Sequence, residues 1–378
     1  MATNNNDKTL NVPHLRFPEF SGEWEEEQLD SIATLSKGIG ISKEQLSEDG
    51  EPCILYGELY TKYKSEIIKQ VESKTDIDCS KLKRSKANDV IIPCSGETAV
   101  DIATARCVPF DNILLGGDLN IISLHKYDGA FMSYQLNGKR KYDIARVAQG
   151  VSVVHLYGEH LKAIKTYNPS LPEQQKIAKL LSLIDERIAT QNKIIEKLQS
   201  LIKGLAAQLT QSGTPNIRLC DCLECHSSTL QENCVSVTGS YPVYGATGLI
   251  GYTNNYAYNG ESILIVKDGS GVGSLSYVND HFSVIGTLNY LTAKENYSIL
   301  YLYYALMAFN FTPYITGMAI PHIYFKDYGK AKLFYPSIEK RIRIASLLHN
   351  IEQKLVVEQN LVISLSAQKS YLLRMLFI

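Results

Sequence analysis

The stretch GVSVVHLYGEHLKAIKTYNP at residues 150–169 occurs a second time, in altered form, as GMAIPHIYFKDYGKAKLFYP at residues 317–336. The two copies lie 167 residues apart throughout and share five identities. A repeat at a fixed offset indicates two copies of one structural unit. The chain is therefore interpreted as a tandem of two related halves. The identical positions are Gly150/Gly317, His155/His322, Tyr157/Tyr324, Lys165/Lys332 and Pro169/Pro336.

The same offset continues past the proline into a heptad pattern. Steps of four and three residues alternate there, which is the a/d pattern of a coiled coil. Each stripe predicts a helix of about 35 residues, or about 50 Å, and Pro172 suits the first turn of the first helix. The first stripe is Ile177, Leu181, Ile184, Ile188, Gln191, Ile195, Leu198, Ile202, Leu205 and Leu209. The second stripe is Ile344, Leu348, Ile351, Leu355, Glu358, Val362, Leu365, Lys369, Leu372 and Leu376.

The two predicted helices are expected to pack on each other, because an isolated helix of this kind is not stable enough alone. Spacing leaves the direction open, and a pseudo-two-fold relation between the halves would make the pair antiparallel. Gln191 and Glu358 are polar residues near the middle of their stripes, where such residues cost stability and fix register. Either the two side chains pair across the helices, or each reaches solvent at the edge of the seam.

The segments outside the helices predict two β-rich domains. They contain short apolar runs interrupted by Gly, Asn and Asp, namely NDVIIPC, NILLGG, LNIISL, ESILIVK and LNYLTA. The predicted fold class is α+β, with two β-rich domains separated by two long helices and related by the internal repeat. The expected segments are a first domain at 1–167, a central helix at 168–212, a second domain at 213–334 and a C-terminal helix at 335–378.

Composition narrows the class of protein. No run of about 18 or more apolar residues predicts a membrane span, and the N-terminal residues have no apolar signal region, so we expect a cytoplasmic protein. The formal net charge of −1 argues against a nucleic-acid binder that depends on charge alone. Two basic runs, Lys81–Lys86 and Gly138–Arg146, are nevertheless either solvated surface or phosphate-binding surface.

Catalytic motifs are not found in the sequence. There is no phosphate-binding loop of the G-x-x-x-x-G-K-[ST] kind, and the glycine-rich segment Lys267–Ser274 is interpreted as a tight strand connection. No Asn/Asp-Pro-Pro-Tyr/Phe motif of amino-methyltransferases occurs. His155 and His322 have no nucleophile or carboxylate beside them in the sequence. They would position a loop, donate to a phosphate or a base, or lie satisfied at a strand entrance, and these alternatives stay open.

The cysteines raise a separate question. Cys222-x-x-Cys225-His226 has the spacing of a c-type haem attachment site, and Cys220 and Cys234 lie close enough to suggest zinc. Haem attachment would require export, for which no signal is present. The corresponding position of the first half has no cysteine. We therefore expect ordinary free thiols and no metal, with zinc left open.

The segment Leu15–Leu29 (LRFPEFSGEWEEEQL), the run Pro169–Ile188 (PSLPEQQKIAKLLSLIDERI) and the degenerate second copy of that run resemble the specificity subunit of type I restriction–modification systems. The resemblance covers nearly the whole chain. The second copy departs from the pattern, because Lys340 and Arg341 replace Glu173 and Gln174. Contacts with partners are therefore expected to differ at that end.

The resemblance implies two target-recognition domains, each reading one half of a split sequence in double-stranded DNA, separated by an antiparallel coiled coil. Two modification subunits, which carry adenine methyltransferase activity and S-adenosylmethionine, would dock on this frame, and a restriction subunit that uses ATP would join in some systems. The chain itself would catalyse nothing and bind no cofactor. A stand-alone DNA-binding regulator and a coiled-coil scaffold joining two ligand-binding β domains remain alternatives.

Residue type predicts which side chains contact DNA. Lys and Arg supply salt-dependent phosphate contacts, and polar side chains read base edges. In the first domain the predicted contacts are Arg84, Lys86, Lys139, Arg140, Lys141 and His155. In the second domain they are Thr247, Lys267, Ser270, Tyr314 and His322.

Overall fold

A computed structural model describes residues 10–378. Contacts divide the chain into two compact units. Unit 1 comprises the residues up to Gln191 together with Leu361–Ile378, and unit 2 comprises Asn192–Asn360. Each unit therefore contains one β-rich domain and a portion of each of the two long helices. The division into four consecutive segments stays a prediction. In the described part of the chain, none of the helices has the length and apolar character needed to cross a membrane.

Unit 1 begins with a mixed α+β domain. In chain order its elements are β1 Glu25–Gln28, α1 Leu29–Ile32, β2 Ala33–Lys37, β3 Leu46–Ser47, β4 Glu51–Ile54, α2 Glu58–Thr61, β5 Ser73–Thr75, β6 Asp89–Pro93, β7 Ser95–Gly96, α3 Ala99–Ile102, β8 Arg106–Val108, β9 Leu114–Leu115, β10 Leu119–Leu124, α4 Gly129–Asn137, α5 Lys141–Val147, β11 Val154–His155, α6 Gly158–Lys162 and β12 Lys165–Asn168.

The core of unit 1 is built on an antiparallel sheet with strand order β2-β10-β6-β8. All five residues of β6 are buried. Val90 and Ile92 pack into a cluster with α4 and α6, whereas Ile91 packs into a second cluster that contains Ile121. Because successive side chains of a strand point to opposite faces, this continuous apolar run is buried on both sides of the sheet.

The central helix α7 spans Leu171–Thr210, and the domain of unit 2 follows it. In chain order the remaining elements are β13 Ile217–Arg218, α8 Leu219–Cys222, β14 Leu223–Ser227, β15 Tyr241–Gly245, β16 Gly248–Thr253, β17 Tyr258–Val266, β18 Leu275–Val284, β19 Leu288–Ala293, α9 Ile299–Met307, α10 Phe325–Tyr328, β20 Lys332–Leu333 and α11 Ile338–Met375.

The sheet of unit 2 repeats that of unit 1. Its six strands have the order β14-β19-β17-β18-β15-β16, and the first four correspond in order and direction to β2-β10-β6-β8. In both units a short pair closes the domain beside the long helices, β1 with β12 and β13 with β20. The predicted runs LNIISL and LNYLTA are the equivalent strands β10 and β19. The internal repeat is thus a repeat of architecture.

The two long helices are antiparallel within each unit. In unit 1, residues near the start of α7 such as Leu181 share a buried cluster with Leu372 and Leu376 near the end of α11. In unit 2, Ile202 and Ala206 near the end of α7 share a cluster with residues near the start of α11, including Leu348. The α+β fold with an antiparallel helix pair, predicted from the repeat and the family resemblance, is confirmed.

The predicted seam residues are buried or half-buried in the structure. The apolar members are Ile177, Leu181, Ile184, Ile188, Ile195 and Leu198 on α7, and Ile344, Leu348, Ile351, Leu355, Val362 and Leu365 on α11. The two polar members are also half-buried. Glu358 pairs with Lys354 one turn earlier in its own helix at 3.2 Å, while the buried Oε1 of Gln191 makes no hydrogen bond.

Each domain is anchored to a long helix by a buried tyrosine. In unit 1 the Tyr134 hydroxyl of α4 donates to Asp185 of α7 at 2.7 Å. In unit 2 the Tyr304 hydroxyl of α9 donates to Glu352 of α11 at 2.7 Å, and Tyr303 donates to the other oxygen of Glu352 at 2.9 Å. Burial raises the pKa of Tyr134 and of Tyr304 well above the usual range, and the facing carboxylate adds to this effect. Each phenol therefore stays protonated as a donor.

Unit 1 adds a buried cation to this anchor. Lys369 of α11 lies 2.6 Å from Asp185 and 2.5 Å from Glu66, and all three side chains are largely buried. Burial raises the pKa of Glu66, and Lys369 opposes that effect. The equivalent residue of the other stripe is the buried Ile202. Lys369, which interrupts the apolar stripe in the sequence, therefore joins the first domain to both helices.

We predict that Lys369→Met lowers the free energy of unfolding of unit 1 by about 3–5 kcal/mol, because two buried carboxylates lose their cation. The only tryptophan, Trp24, packs in the same unit against Phe131 and Phe377. Its fluorescence during urea denaturation of the full chain follows this unit. Lys179→Met, at an exposed position on α7, is the control and should change stability by less than about 0.5 kcal/mol. Equal effects of the two substitutions would contradict the assignment.

Candidate nucleic-acid interface

The two copies of the repeated stretch form the same closed loop. In unit 1 the Gln149 amide donates to the His155 carbonyl at 2.9 Å, and the His155 amide donates back at 2.7 Å. In unit 2 Thr316 and His322 exchange the equivalent bonds at 2.9 and 2.8 Å. We name these segments loop 1, residues 149–155, and loop 2, residues 316–322. Each histidine thus closes a tight loop through its backbone.

A glycine with positive φ shapes each loop. Gly150 has φ of +122° and Gly317 has φ of +89°, a region that residues with a Cβ rarely adopt. A Cβ on Gly150 would overlap the carbonyl oxygen of Val153, and one on Gly317 would overlap that of Ile320. The glycine identity at the start of the repeated stretch therefore reflects a steric requirement.

Both loops are attached to the same place in their sheets. Next to loop 1, the Leu156 amide donates to the Cys94 carbonyl at 2.8 Å, and β11 pairs with β7. Next to loop 2, the Ile323 amide donates to the Lys267 carbonyl at 2.9 Å, and Asp268 pairs with His322. Cys94 directly follows the central strand β6, and Lys267 directly follows the central strand β17. The two loops therefore occupy equivalent positions.

The two histidine rings have different partners. His155 is exposed, its Nδ1 lies 3.3 Å from the Ser95 hydroxyl, and its ring stacks beside Tyr157 at 6.2 Å. The Nδ1–H of His322 donates to the Ile320 carbonyl at 3.1 Å, and its ring meets Tyr324 edge-on at 5.0 Å. Neither geometry includes a carboxylate that would orient the ring as a general base.

A cleft of about 710 Å³ opens beside loop 1. Apolar and hydrogen-bonding groups both line it, and they include Tyr60, Ser95, Glu97, Asp101, Arg106 and Val153. The Arg106 guanidinium donates to the carbonyl oxygens of Tyr63 and Ala105, both at 2.9 Å. These bonds hold the guanidinium in the lining of the cleft. Carboxylates such as Glu97 and Asp101 can accept from the amino groups of cytosine or adenine. They were missed in the sequence, because nothing in their spacing places them beside residue 153.

The basic run Lys81–Lys86 provides less free positive charge than its sequence suggests. Arg84 binds Glu51 through both terminal nitrogens, at 2.5 and 2.9 Å. This pairing lowers the pKa of Glu51 and raises that of Arg84. Lys86 is exposed and lies on the rim of a second cleft, of about 310 Å³, together with His125. Of the two predicted contacts in this run, Lys86 is the better placed to meet a phosphate.

In the second basic run, the charged side chain of Arg140 also has partners within unit 1. Arg140 donates to the Ile378 carbonyl at 2.9 Å, lies 3.3 Å from Asp143 and covers the Tyr167 ring at 5.3 Å. Lys139 and Lys141 on either side of it are half-buried. Arg140 therefore connects the start of α5 to the C-terminal residue, and its role as a DNA contact stays a prediction.

The predicted contacts of unit 2 fall into separate groups. Lys267, Ser270 and His322 lie together, because the connection between β17 and β18 binds loop 2 through the Gly269 amide, which donates to the Pro321 carbonyl at 2.9 Å. Thr247 is exposed in the turn of the edge hairpin β15–β16. Tyr314 is half-buried, and its ring stacks on that of Phe309 at 5.8 Å.

The cysteine-rich segment lies within ordinary secondary structure. Cys222 is buried at the end of α8 and Cys225 is half-buried in β14. Burial raises the pKa of Cys222 to about 12 and that of Cys225 to about 11, which disfavours the thiolate that a metal requires. All eight cysteines are free thiols. Across residues 10–378 no three His, Cys, Asp or Glu side chains are grouped as a metal site would need.

These features define a class of protein: a duplicated α+β chain whose halves share an antiparallel helix pair and present equivalent loops on diverged surfaces. The family model described as the type I restriction modification DNA specificity domain matches this chain twice, at residues 21–200 and 217–365. The chain belongs to this family.

Individual relatives are distant. The chain is 28% identical over 112 residues to the specificity subunit of the type I restriction enzyme EcoprrI from Escherichia coli, and this alignment covers 30% of the chain and 28% of the relative. It is 30% identical over 138 residues to a putative type I specificity subunit of Mycoplasma pneumoniae, covering 34% of the chain and 43% of the relative. The matched region therefore spans less than half the length of either relative.

Solved structures share the whole fold. A type I restriction–modification S subunit from M. genitalium matches with a TM-score of 0.69 and 19% identity, over 97% of this chain and 99% of that one. A chain from a study of complex assembly and conformational transition of the type I system matches with a TM-score of 0.52 and 14% identity, over 94% and 97%. At these identities the likeness establishes the fold.

We predict that Gly150→Ala lowers the free energy of unfolding of unit 1 by about 1–3 kcal/mol, because a Cβ at positive φ would displace the Val153 carbonyl. Gly40→Ala is the control, since Gly40 is exposed and a Cβ there would meet no atom within 4 Å. It should change stability by less than about 0.5 kcal/mol. Urea denaturation followed by Trp24 fluorescence compares the two. A neutral Gly150→Ala would contradict the steric account of loop 1.

Proposed function

We propose that the chain is the sequence-specific DNA-recognition subunit of a type I restriction–modification assembly. Each β-rich domain would read one half of a bipartite DNA site, and the helix pair would set the distance between the halves. The observation that carries this proposal is the duplication. Two units repeat the same sheet, tyrosine anchor and closed loop, while the surfaces beside the loops differ in sequence.

The differences between the two units support separate specificities. In unit 1 loop 1 borders a cleft with two carboxylates. In unit 2 the equivalent loop binds the glycine-rich connection at Gly269, next to Lys267 and Ser270. Direct reading of DNA depends on a few donors and acceptors placed against base edges. A shared frame with different polar groups would give two half-sites of different sequence.

The outer surfaces of the helices support the docking of partners. Leu171 and Ile338 occupy equivalent positions at the starts of α7 and α11, and both are exposed. Ile342 is exposed one turn after Ile338. Apolar side chains at matching places suit two copies of one partner. We propose that these partners are modification subunits that bring S-adenosylmethionine and carry out methylation, and that this chain has no catalytic role of its own.

We predict that exchanging residues 30–150 for the same segment of another specificity subunit changes one half-site of the methylated DNA sequence and leaves the other intact. The reason is that this segment contains β6, α3 and most residues that line the cleft, while the anchor partner Asp185 stays in place. Methylome sequencing of cells that express the hybrid with its modification subunits would show the new motif. A change in both half-sites, or in the methylated base, would contradict the modular proposal.

We predict that a heptad inserted into both helices lengthens the spacer and changes neither half-site. The insertions would lie between Gln191 and Asn192 and between Asn360 and Leu361, where the two compact units divide. Seven residues add about 10.5 Å of helix, so the gain is at most about three base pairs. A heptad in one helix only is the control and should abolish methylation, because the two seams no longer match. An unchanged spacer in the double insertion would contradict the proposed role of the helices.

A further inference from the structure

Both loops present aliphatic side chains to solvent at equivalent positions. In loop 1, Val151 is 96% exposed and Val153 is 53% exposed. In loop 2, 167 residues later, Met318 is fully exposed and Ile320 is 64% exposed. Single exposed apolar residues are ordinary on a protein surface. Here two pairs occupy matching places in a repeat, and they stay apolar although the residues themselves differ. This pattern indicates that both loops use these side chains for the same purpose.

The backbone of each loop is constrained at its base. Each loop is closed by its pair of backbone hydrogen bonds and begins with a glycine at positive φ. The residue between the two aliphatic side chains is small, Ser152 in loop 1 and Ala319 in loop 2. The result is a narrow apolar tip on a base that is closed by backbone hydrogen bonds.

The surroundings of the tips favour a nucleic acid as the occupant. Loops 1 and 2 contain no Asp or Glu, and the carboxylates of Glu97 and Asp101 belong to the cleft beside loop 1 and not to the loop itself. A half-exposed tyrosine, Tyr157 or Tyr324, lies against the histidine that closes each loop, and aromatic faces can stack with bases. A stable protein interface needs roughly 800 Å² per partner, far more than two aliphatic side chains supply. The space between two base pairs suits a tip of this size.

We propose that Val151 and Val153, and Met318 and Ile320, are wedges that enter the base stack of the two half-sites and hold it open. The inference rests on the proposed function, since it assumes that each unit reads DNA. Apolar side chains inserted between base steps partly unstack and kink the duplex. An enzyme that modifies a base must first extrude it from the stack. The specificity chain would thus contribute to opening the DNA as well as to choosing the site.

The test uses the full chain in complex with its modification subunits and a duplex with both half-sites identified by methylation mapping. One target adenine at a time is replaced by 2-aminopurine, whose fluorescence rises when it leaves the stack. Val151→Ser with Val153→Ser should reduce this rise about ten-fold at the half-site read by unit 1 and leave the other half-site unchanged. Met318→Ser with Ile320→Ser should do the reverse. Leucine at positions 151 and 153 should retain the signal.

The control is Val237→Ser, which removes an apolar side chain that is 91% exposed outside both loops. It should leave the fluorescence and the affinity for DNA unchanged, and the far-UV circular dichroism of the full chain in urea, which follows both units, should show that every variant folds. Serine variants that open the duplex as the wild type does would overturn the wedge and leave the proposed function intact. Loss of the modification subunits on gel filtration would identify the loops as a protein-docking surface and overturn it as well. If the wild-type complex binds no duplex in a sequence-specific manner, the proposed function itself fails.

Discussion

A buried hydrogen bond, from a tyrosine to a carboxylate on a long helix, joins each β-rich domain to the helix pair. It occurs as Tyr134 with Asp185 and as Tyr304 with Glu352. A hydrogen bond to a charged group stabilises by about 1.5–3 kcal/mol, and the same carboxylates also bind Lys369 in unit 1 and Tyr303 in unit 2. The bond therefore fixes which face of each domain meets the helices. Each loop is in turn held to its own sheet by backbone hydrogen bonds, from Leu156 to Cys94 in unit 1 and from Ile323 to Lys267 in unit 2.

Much of the fold could be predicted from the sequence, because its signals are local or periodic. The heptad stripes, the central strands and the duplication are all visible as spacings. Spacing alone does not determine whether the two helices are parallel or antiparallel. The structure shows that they are antiparallel within each unit. The ion pairs of Lys369 could not be predicted in the same way. Its partner Glu66 lies 303 residues away, and an apparent defect in the stripe becomes a buried ion pair only after folding.

The candidate interface was harder to predict for the same physical reason. Charge and residue type nominated Arg84 and Arg140, yet tertiary contacts pair the first with Glu51 and connect the second to the C-terminal residue. The carboxylates Glu97 and Asp101 carry no local signal, and only the fold places them beside loop 1. The repeated histidine was informative in a different sense. It marks a closed loop with an exposed aliphatic tip in both halves, whereas the partners of the imidazole ring differ between them.

The central claim is that the chain selects the DNA sequence that its partners methylate. Long-read mapping of modified bases, in cells with and without this chain, tests it most directly. The account predicts that a bipartite motif, with two fixed half-sites and a spacer of constant length, is methylated only when the chain is present. Identical methylation in both cells, or a motif without a spacer, would contradict it.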